Sequence, residues 1–276
     1  MTLACQRTLK TSAAMKGRGL HTGEECRVNL IPAAPNTGVV LVTSRGEIPA
    51  LVQNVSETHR ATSLRSGDAE VHTVEHLLAA LAGMLVDNVR IEVSGPEVPV
   101  GDGSALPFVE LIENAGIEEQ TAEAKTIQPE EPVWVAEAGK YLLAAPASAF
   151  RISALISFQH QLIGEQVISL TIDPTVFKRE IAPARTFCTA DEVESIVSQG
   201  LGKGGAEDNV VVVHDDRYSV PLRFRDEFVR HKALDLIGDL SLVGGRLHAD
   251  VVAIKTSHSL NVALADSIVQ KGWQGG

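Results

Sequence analysis

A polar segment in the middle of the chain, residues 118–132 (EEQTAEAKTIQPEEP), divides the sequence into two halves with the same order of elements. In each half, segments of alternating apolar and polar residues precede segments with helical spacing of apolar residues. The segment itself is charged and carries two prolines, which predicts a domain boundary. We therefore expect an α+β fold of two similar domains, residues 1–120 and 133–276, joined by a linker over 121–132.

The spacing of apolar residues gives the expected elements of both halves. We predict helices over 71–84, 104–115, 191–198, 226–242 and 260–269. We predict strands over 26–31, 38–43, 89–93, 133–135, 141–145, 151–158, 166–172, 209–213 and 251–255.

Charge, cysteine usage and hydropathy limit the class of protein. The net charge of −11 over 276 residues disfavours a nucleic-acid partner, because a polyanion is repelled on average. The three cysteines form no CxxC pair, which favours a reducing compartment without disulfides. The N-terminus lacks a signal-peptide core and no apolar run reaches the ~20 residues of a membrane span. We expect a cytoplasmic protein without a transmembrane segment, and a monomer.

The stretch HTVEH over residues 72–76 is the first candidate for chemistry. If it is helical, His72 and His76 share one helix face, because the α-helix repeats every 3.6 residues. H-x-x-E-H is the inverted zinc-protease motif, in which both histidines bind zinc and the glutamate activates water. Five-residue matches also arise by chance, and a histidine in an amphipathic helix is more often structural.

The stretch HKALD over residues 231–235 repeats the spacing with different ligands. His231 and Asp235 are four residues apart, and Asp239 follows one turn later near the same face. Histidine and carboxylate are suitable zinc ligands, and catalytic zinc takes three protein ligands and a water. Taken alone, the stretch is better explained as an ordinary surface helix with solvated carboxylates.

Two further sites carry weaker signals. His258 ends the motif KTSH after an apolar strand, where a loop begins, and side chains at such places often act in catalysis. Thr186 in the motif ARTF could donate a hydrogen bond. The glycine-rich stretch over 200–205 matches no phosphate-binding loop and predicts a flexible turn.

Five longer stretches in fixed order resemble one family. They are HTVEHLLAALAG, PVGDGSALPFV, APARTF, LRFRDEFVRHKALDLIGDL and KTSH. They resemble the LpxC family, the zinc-dependent UDP-3-O-acyl-N-acetylglucosamine deacetylases of lipid A biosynthesis. The N-terminal QRTLK and GRGLHTG resemble the opening of that family, so that the resemblance covers nearly the whole chain.

The resemblance assigns roles to the candidate residues and a fold to the chain. It implies two domains, each a small mainly antiparallel sheet with a helical layer, with the helices packed between the two sheets. It implies a zinc ion, although Fe(II) suits the same ligands. The implied metal ligands are His76, His231 and Asp235. The implied catalytic residues are Glu75 as base, His258 as acid, Asp239 as the partner of His258, and Thr186 as a donor to the oxyanion.

The resemblance also implies contacts with an acylated UDP-sugar. Lys232 and Lys255 are expected near the diphosphate, Phe187 on the hexose, Phe158 at the uracil, Lys140 near the nucleotide, and His21 near the site. An insert around 188–213 is expected to form an acyl-chain passage, lined by Val193, Ile196, Val197 and Leu201. Ordinary core packing of these apolar residues is the alternative.

The chain departs from the family pattern at three positions, where Cys188, Ser157 and Ser257 replace glycine, an acidic residue and glycine. These changes affect the expected nucleotide contacts and the shape of the passage. Two other functions stay open at this point. One is a metallopeptidase that uses His72, Glu75 and His76, and the other is a non-catalytic protein that binds a sugar nucleotide.

Overall fold

Two five-stranded sheets with the same strand connectivity form the two halves of the chain. The structure is a computed structural model and describes residues 4–271. In both sheets one parallel pair is flanked by antiparallel pairs, in the orders β2-β3-β9-β4-β5 and β12-β13-β19-β14-β15. The strands of the first half are β1 Cys5–Leu9, β2 Ala13–Arg18, β3 Glu25–Pro32, β4 Val39–Thr43, β5 Gly46–Pro49, β6 Val55–Glu57, β7 Ser63–Ser66, β8 Ala69–Val71 and β9 Val89–Ser94.

The strands of the second half begin at the polar segment. They are β10 Ile117–Glu123, β11 Thr126–Ile127, β12 Val133–Glu137, β13 Lys140–Pro146, β14 Arg151–Ser157, β15 Glu165–Thr171, β16 Phe187–Thr189, β17 Val211–Val213, β18 Arg246–Leu247 and β19 Ala249–Ile254. The helices are α1 Glu75–Gly83, α2 Leu106–Ala115, α3 Pro174–Val176 with a π-helical turn Phe177–Ile181, α4 Ala190–Ser198, α5 Glu227–Leu240 and α6 His258–Lys271. Short 3₁₀ turns cover Val52–Asn54 and Ser241–Val243.

The helices pack against one another between the two sheets, as the sequence predicted. Helix α1 contacts α2 and α5, α5 contacts α6, and α5 and α6 pack on the second sheet. The contact between α1 and α5 is close because Gly238 has no side chain. A Cβ atom at Gly238 would lie 2.1 Å from the carbonyl oxygen of Glu75, so any other residue would push the helices apart. Among the described residues, no helix is long and apolar enough to cross a membrane.

The first helix is shorter than predicted, and this changes the meaning of the HTVEH stretch. Val71 pairs with Leu64 as the end of β8, and the His72 backbone N–H donates to the Pro96 carbonyl at 3.0 Å. Thr73 then takes a left-handed φ of 56°, and α1 begins only at Glu75. The prediction of a helix from residue 71 was wrong, because pairing with strand partners distant in sequence outcompetes the local helical spacing.

The polar segment is not a bare linker. Strand β10 within it pairs antiparallel with β1, and β11 pairs parallel with β18. Most side chains of β10 are exposed, because the two-stranded sheet that it forms with β1 lies at the surface. This exposure explains the polar sequence of the segment. The division into domains over 1–120 and 133–276 stays a prediction.

Candidate metal centre and active-site cavity

Three predicted ligands come together where α1 crosses α5. His76 lies in the first turn of α1, and His231 and Asp235 lie one turn apart on α5. The Asp235 Oδ1 atom is 3.5 Å from His76 Nε2 and 3.3 Å from His231 Nε2. One donor atom from each of the three residues lies within 4.8 Å of the others. The two halves of the chain therefore both contribute to one cluster.

The chemistry of the cluster fits a metal ion. All three side chains are buried, and Asp235 Oδ1 has no hydrogen-bond partner among the described residues. His231 Nδ1 lies 3.1 Å from the Ala184 carbonyl oxygen, which can only accept, so the Nδ1 atom carries the proton and Nε2 keeps its lone pair. Burial lowers the pKa of His231 to about 3, which keeps the ring neutral. Two neutral imidazoles and one carboxylate suit zinc or Fe(II).

Glu75 precedes the first ligand and is itself buried. Its Oε2 atom accepts a hydrogen bond from the Thr62 backbone N–H at 3.0 Å, which fixes the carboxyl group at the start of α1. Burial raises the pKa of Glu75 above the ordinary value for glutamate. A carboxylate whose pKa is raised accepts a proton more readily, as a general base must.

His258 and Asp239 form a buried hydrogen-bonded pair beside the cluster. His258 Nδ1 donates to Asp239 Oδ2 at 2.8 Å, and the same oxygen accepts from Asn261 Nδ2 at 2.8 Å. The other oxygen, Oδ1, accepts from the Thr62 hydroxyl at 2.6 Å. Burial alone would lower the pKa of His258, but the charge and hydrogen bond of Asp239 outweigh it and raise the pKa to about 9. His258 is therefore protonated at neutral pH.

One cavity of about 470 Å³ opens over these groups. It brings together most of the predicted site residues, and the α4 side chains give it an apolar wall. The predicted residues that line it are His21, Glu75, His76, Phe158, Thr186, Phe187, Val193, Ile196, Val197, His231, Lys232, Asp235 and His258. No residue of α4 is buried, and Val197 is 61% exposed, which speaks against the alternative of ordinary core packing.

Lys232 supplies a cation at the edge of the cluster. Its Nζ atom lies 2.9 Å from Asp235 Oδ2 and 5.7 Å from the centre of the Phe187 ring. Burial alone would lower the pKa of Lys232, but the charge of Asp235 outweighs it and raises the pKa. Phe187 also packs edge-on against Phe158, with ring centres 5.7 Å apart. A cation and two aromatic faces thus border one side of the cavity.

Three predicted contact residues lie outside the cavity lining. Lys255 is exposed directly after β19, with a left-handed φ of 57°. Lys140 begins β13, and Leu201 follows α4 in the glycine-rich turn. The structure does not bring these three side chains to the cluster, and their proposed contacts with substrate stay predictions.

The three departures from the family pattern differ in their distance from the site. Cys188 lines the cavity, and burial raises the pKa of its thiol to about 11, so it is protonated at neutral pH. The Ser157 hydroxyl lies 3.4 Å from Glu165 Oε1 at the end of β14, and the Ser257 hydroxyl lies 3.1 Å from that of Ser259. Of the three, Cys188 can alter the shape of the passage directly.

Sequence reasoning missed several residues that hold the site in place. Thr62 binds the carboxylates of Glu75 and Asp239, and Asn261 binds that of Asp239, as described above. The buried Glu97 accepts hydrogen bonds from the backbone N–H groups of His21 and Thr22 and from the Thr22 and Thr73 hydroxyls. It thereby joins the turn that carries His21 to the segment before α1. These partners are distant in sequence, so that no local spacing marks them.

Glu227 was also missed, and it anchors the segment before β16 that carries Thr186. Glu227 is fully buried and binds Arg185, with Oε1 2.8 Å from the guanidinium Nε. Its carboxylate also accepts from the backbone N–H groups of Arg185 and Arg223. The pair fixes the position of Ala184, whose carbonyl orients His231.

Replacing Glu227 by Ala is expected to lower the free energy of unfolding by about 3–5 kcal/mol, because the Arg185 guanidinium would stay buried without its partner. Urea denaturation at a fixed zinc concentration measures the change. The control is Glu113→Ala, which removes an exposed pair with Lys178 and is expected to cost less than about 1 kcal/mol. Equal losses for the two variants would contradict the structural role of Glu227.

Comparison with known proteins agrees with the geometry of the cluster. The sequence profile of the LpxC family, described as UDP-3-O-acyl N-acetylglycosamine deacetylase, matches residues 6–270. This chain belongs to the LpxC family. Its relatives include the UDP-3-O-acyl-N-acetylglucosamine deacetylase of Myxococcus xanthus, which is 44% identical over 96% of this chain and 86% of the relative. The enzyme of the same name from Chlamydia pneumoniae is 42% identical over 96% of this chain and 97% of the relative. A third LpxC relative, from Teredinibacter turnerae, is 44% identical over 93% of this chain and 87% of its own length.

Proposed function

We propose that the chain is a zinc-dependent amidohydrolase that removes the N-acetyl group of UDP-3-O-acyl-N-acetylglucosamine, releasing acetate and a free amine. This reaction is the committed step of lipid A biosynthesis. The proposal rests on one observation: Glu75 and the protonated His258 lie beside three side chains that together could hold one metal ion. The apolar wall on α4 supports an acyl chain as part of the substrate. The lack of any pairing among the three cysteines supports action in the cytoplasm, and we propose that the protein acts as a monomer.

His76, His231 and Asp235 would hold the metal. When bound there, zinc supplies a Lewis acid and lowers the pKa of a coordinated water from ~15.7 towards ~7. Glu75 takes the proton from the attacking water, since it adjoins the ligand His76 and its raised pKa suits proton exchange. The Thr186 hydroxyl lines the same cavity and is proposed to donate to the oxygen of the acetamide carbonyl as negative charge develops there.

His258 then gives its proton to the departing nitrogen. An amide nitrogen leaves poorly as an anion, so a group that still holds a transferable proton at neutral pH is required, and a protonated histidine meets this need. The buried Asp239 keeps His258 protonated and holds its ring through Nδ1, which leaves Nε2 free to donate. Lys232 is proposed to pair with a substrate phosphate, and Phe187 to pack on the sugar.

The proposal is tested by measuring acetate release from UDP-3-O-acyl-N-acetylglucosamine with and without a chelator. We expect release that stops on chelation and returns with stoichiometric zinc. Stoichiometric zinc without any acetate release would favour a non-catalytic protein that binds the sugar nucleotide.

The alternative of an H-x-x-E-H peptidase requires His72 as a ligand. The observed position of His72 gives it little support, since its Nδ1 atom lies 2.8 Å from the Ser63 hydroxyl and its side chain does not line the cavity. We expect His72→Ala to keep zinc and deacetylation. Loss of bound zinc in this variant would favour the peptidase.

Asp239→Asn is expected to move the basic limb of the pH–activity profile to lower pH. Activity is lost as pH rises through the pKa of His258, because the neutral ring cannot donate. Burial lowers that pKa and the Asp239 charge raises it, so removing the charge leaves the lowering effect and the loss begins at lower pH. Profiles of kcat/KM from pH 5 to 10 measure the shift, with Asp266→Asn on α6 as the control. An unchanged basic limb in Asp239→Asn would contradict the pairing.

A further inference from the structure

The outer face of the second five-stranded sheet is uncharged and mostly apolar over its two central rows, with Ser153 and Ser169 as the polar exceptions. In β12, β13, β19 and β14, residues such as Leu142, Val251 and Ile152 point inward and are buried, so their neighbours in the strand point outward. The strand register aligns these outward residues into rows across the sheet. One row is Trp134, Leu143, Val252, Ser153 and Ser169, and the next is Ala136, Tyr141, Ile254, Leu155 and Val167.

Several large apolar side chains of this face are exposed to solvent. Trp134 is 70% exposed, Val167 63% and Tyr141 55%. Charged residues flank the two rows. Arg151 and Asp250 are register partners on one side, where Arg151 Nη2 donates to the Ser169 hydroxyl at 3.2 Å, and Glu165 lies at the opposite end. A contiguous apolar area with a polar rim on a monomer marks an interaction surface.

The first sheet has the same connectivity and provides an internal comparison. Its outer face carries Lys16, Arg27, Glu92, Glu47 and Arg90, and Arg90 and Glu47 form an ion pair there. The fold therefore tolerates a charged outer face in the same position of the layer. The apolar residues on the second sheet are a property of this sequence and not a requirement of the architecture.

The size of the face argues against a stable dimer. Two rows across five strands cover about 300–350 Å² at the usual strand spacing and rise. A stable protein–protein interface buries about 800 Å² on each partner. The two rows alone are therefore too small to hold a second copy of the chain.

Composition and position favour a lipid surface. Tryptophan and tyrosine have amphipathic rings that settle at the boundary between lipid headgroups and acyl chains. The two rows carry no charge and the whole chain is at −11, so a zwitterionic surface fits better than an anionic one. The face also ends near the site, because Phe158 directly follows β14 and is both exposed and part of the cavity lining.

We propose that the outer face of the sheet β12-β13-β19-β14-β15 docks the protein on the headgroup boundary of a zwitterionic bilayer through Trp134, Tyr141 and the aliphatic residues beside them. Docking by this face does not depend on the proposed enzymatic activity. It would hold the cavity next to the lipid surface while the polar first sheet faces water.

Co-sedimentation with phosphatidylcholine vesicles tests the surface. We expect the zinc-loaded full chain to bind, and the double variant Trp134→Ser/Tyr141→Ser to bind about tenfold more weakly or worse, because it loses the two largest apolar side chains of the face. The matched control is Ala14→Ser/Lys16→Ser on the outer face of the first sheet, which is expected to bind like the unchanged protein. Both pairs are on the surface, so the substitutions leave the core intact.

Fluorescence gives a second measurement with both anchor residues in place. The chain has two tryptophans, and Trp273→Phe leaves Trp134 as the only one. Its emission should shift to shorter wavelength when vesicles are added. Absence of vesicle binding, equal binding of the Trp134→Ser/Tyr141→Ser variant, or an unshifted emission would each overturn the proposal. Sedimentation equilibrium that instead shows a dimer lost in the double variant would assign the face to a second copy of the chain and also overturn it.

Discussion

Asp235→Ala is expected to abolish metal binding and deacetylation together. The buried Asp235 Oδ1 atom lies within 3.5 Å of the Nε2 atoms of both His76 and His231, and it has no hydrogen-bond partner among the described residues. Losing a residue outside the ligand set typically weakens metal affinity by about 10–100-fold. Loss of a direct ligand should exceed that range.

Competition with a chromophoric chelator measures the metal affinity, and acetate release measures activity. The control is Asp226→Ala, which removes another carboxylate from the start of the same helix and breaks only a pair with Arg230. It should keep stoichiometric zinc and most of the activity. An Asp235→Ala protein that still held one zinc per chain at the original affinity would sink the assignment of the cluster.

Glu75→Gln is expected to keep the metal but lose about 10²–10⁴-fold in kcat, the usual contribution of a general base. The amide has nearly the same shape and can still accept from the Thr62 N–H, so the start of α1 should be unchanged. It cannot take a proton from water. The loss should therefore fall on kcat, with little change in zinc content or in the free energy of unfolding.

The control for Glu75 is Glu70→Gln. Glu70 lies on β8, five residues earlier and outside the cavity, and its carboxylate pairs with Arg65 on β7. That variant should have ordinary activity. A Glu75→Gln enzyme with full kcat would exclude Glu75 as the base, whereas loss of zinc in that variant would mean that its carboxylate supports the ligands instead.

Asp235→Ala and Glu75→Gln are expected to differ in one respect. The first should lose the metal, and the second should keep the metal but lose the general base. Both residues are acidic and buried, and both lie at the crossing of α1 and α5. Only Asp235 has an oxygen close to both imidazoles, while the Glu75 carboxylate is hydrogen-bonded away from them to Thr62. We therefore propose two roles for the same residue class, set by the groups that surround each carboxylate.

Local spacing correctly predicted that His231 and Asp235 share a helix face, and it wrongly predicted the same for His72 and His76. His231 and Asp235 belong to one continuous helix, so their separation by four residues does place both on one face. His72 and His76 have the same spacing, but His72 lies before the helix and is held by strand partners. A spacing rule holds only when the intervening residues are helical, and long-range pairing decides that.

The sequence by itself determined the two-part α+β architecture, because alternation and helical spacing are properties of neighbouring residues. With the resemblance to LpxC, it also singled out the three cluster residues and the pair of Glu75 and His258. That resemblance also left His72 outside the ligand set. Only the tertiary structure showed why His72 stands apart, in strand pairing before α1. Only the tertiary structure decided that Thr62, Asn261 and Glu97 hold the site, and that one sheet has a mostly apolar outer face while its counterpart is charged. Those properties depend on hydrogen bonds and strand register between residues far apart in the chain, which no local pattern encodes.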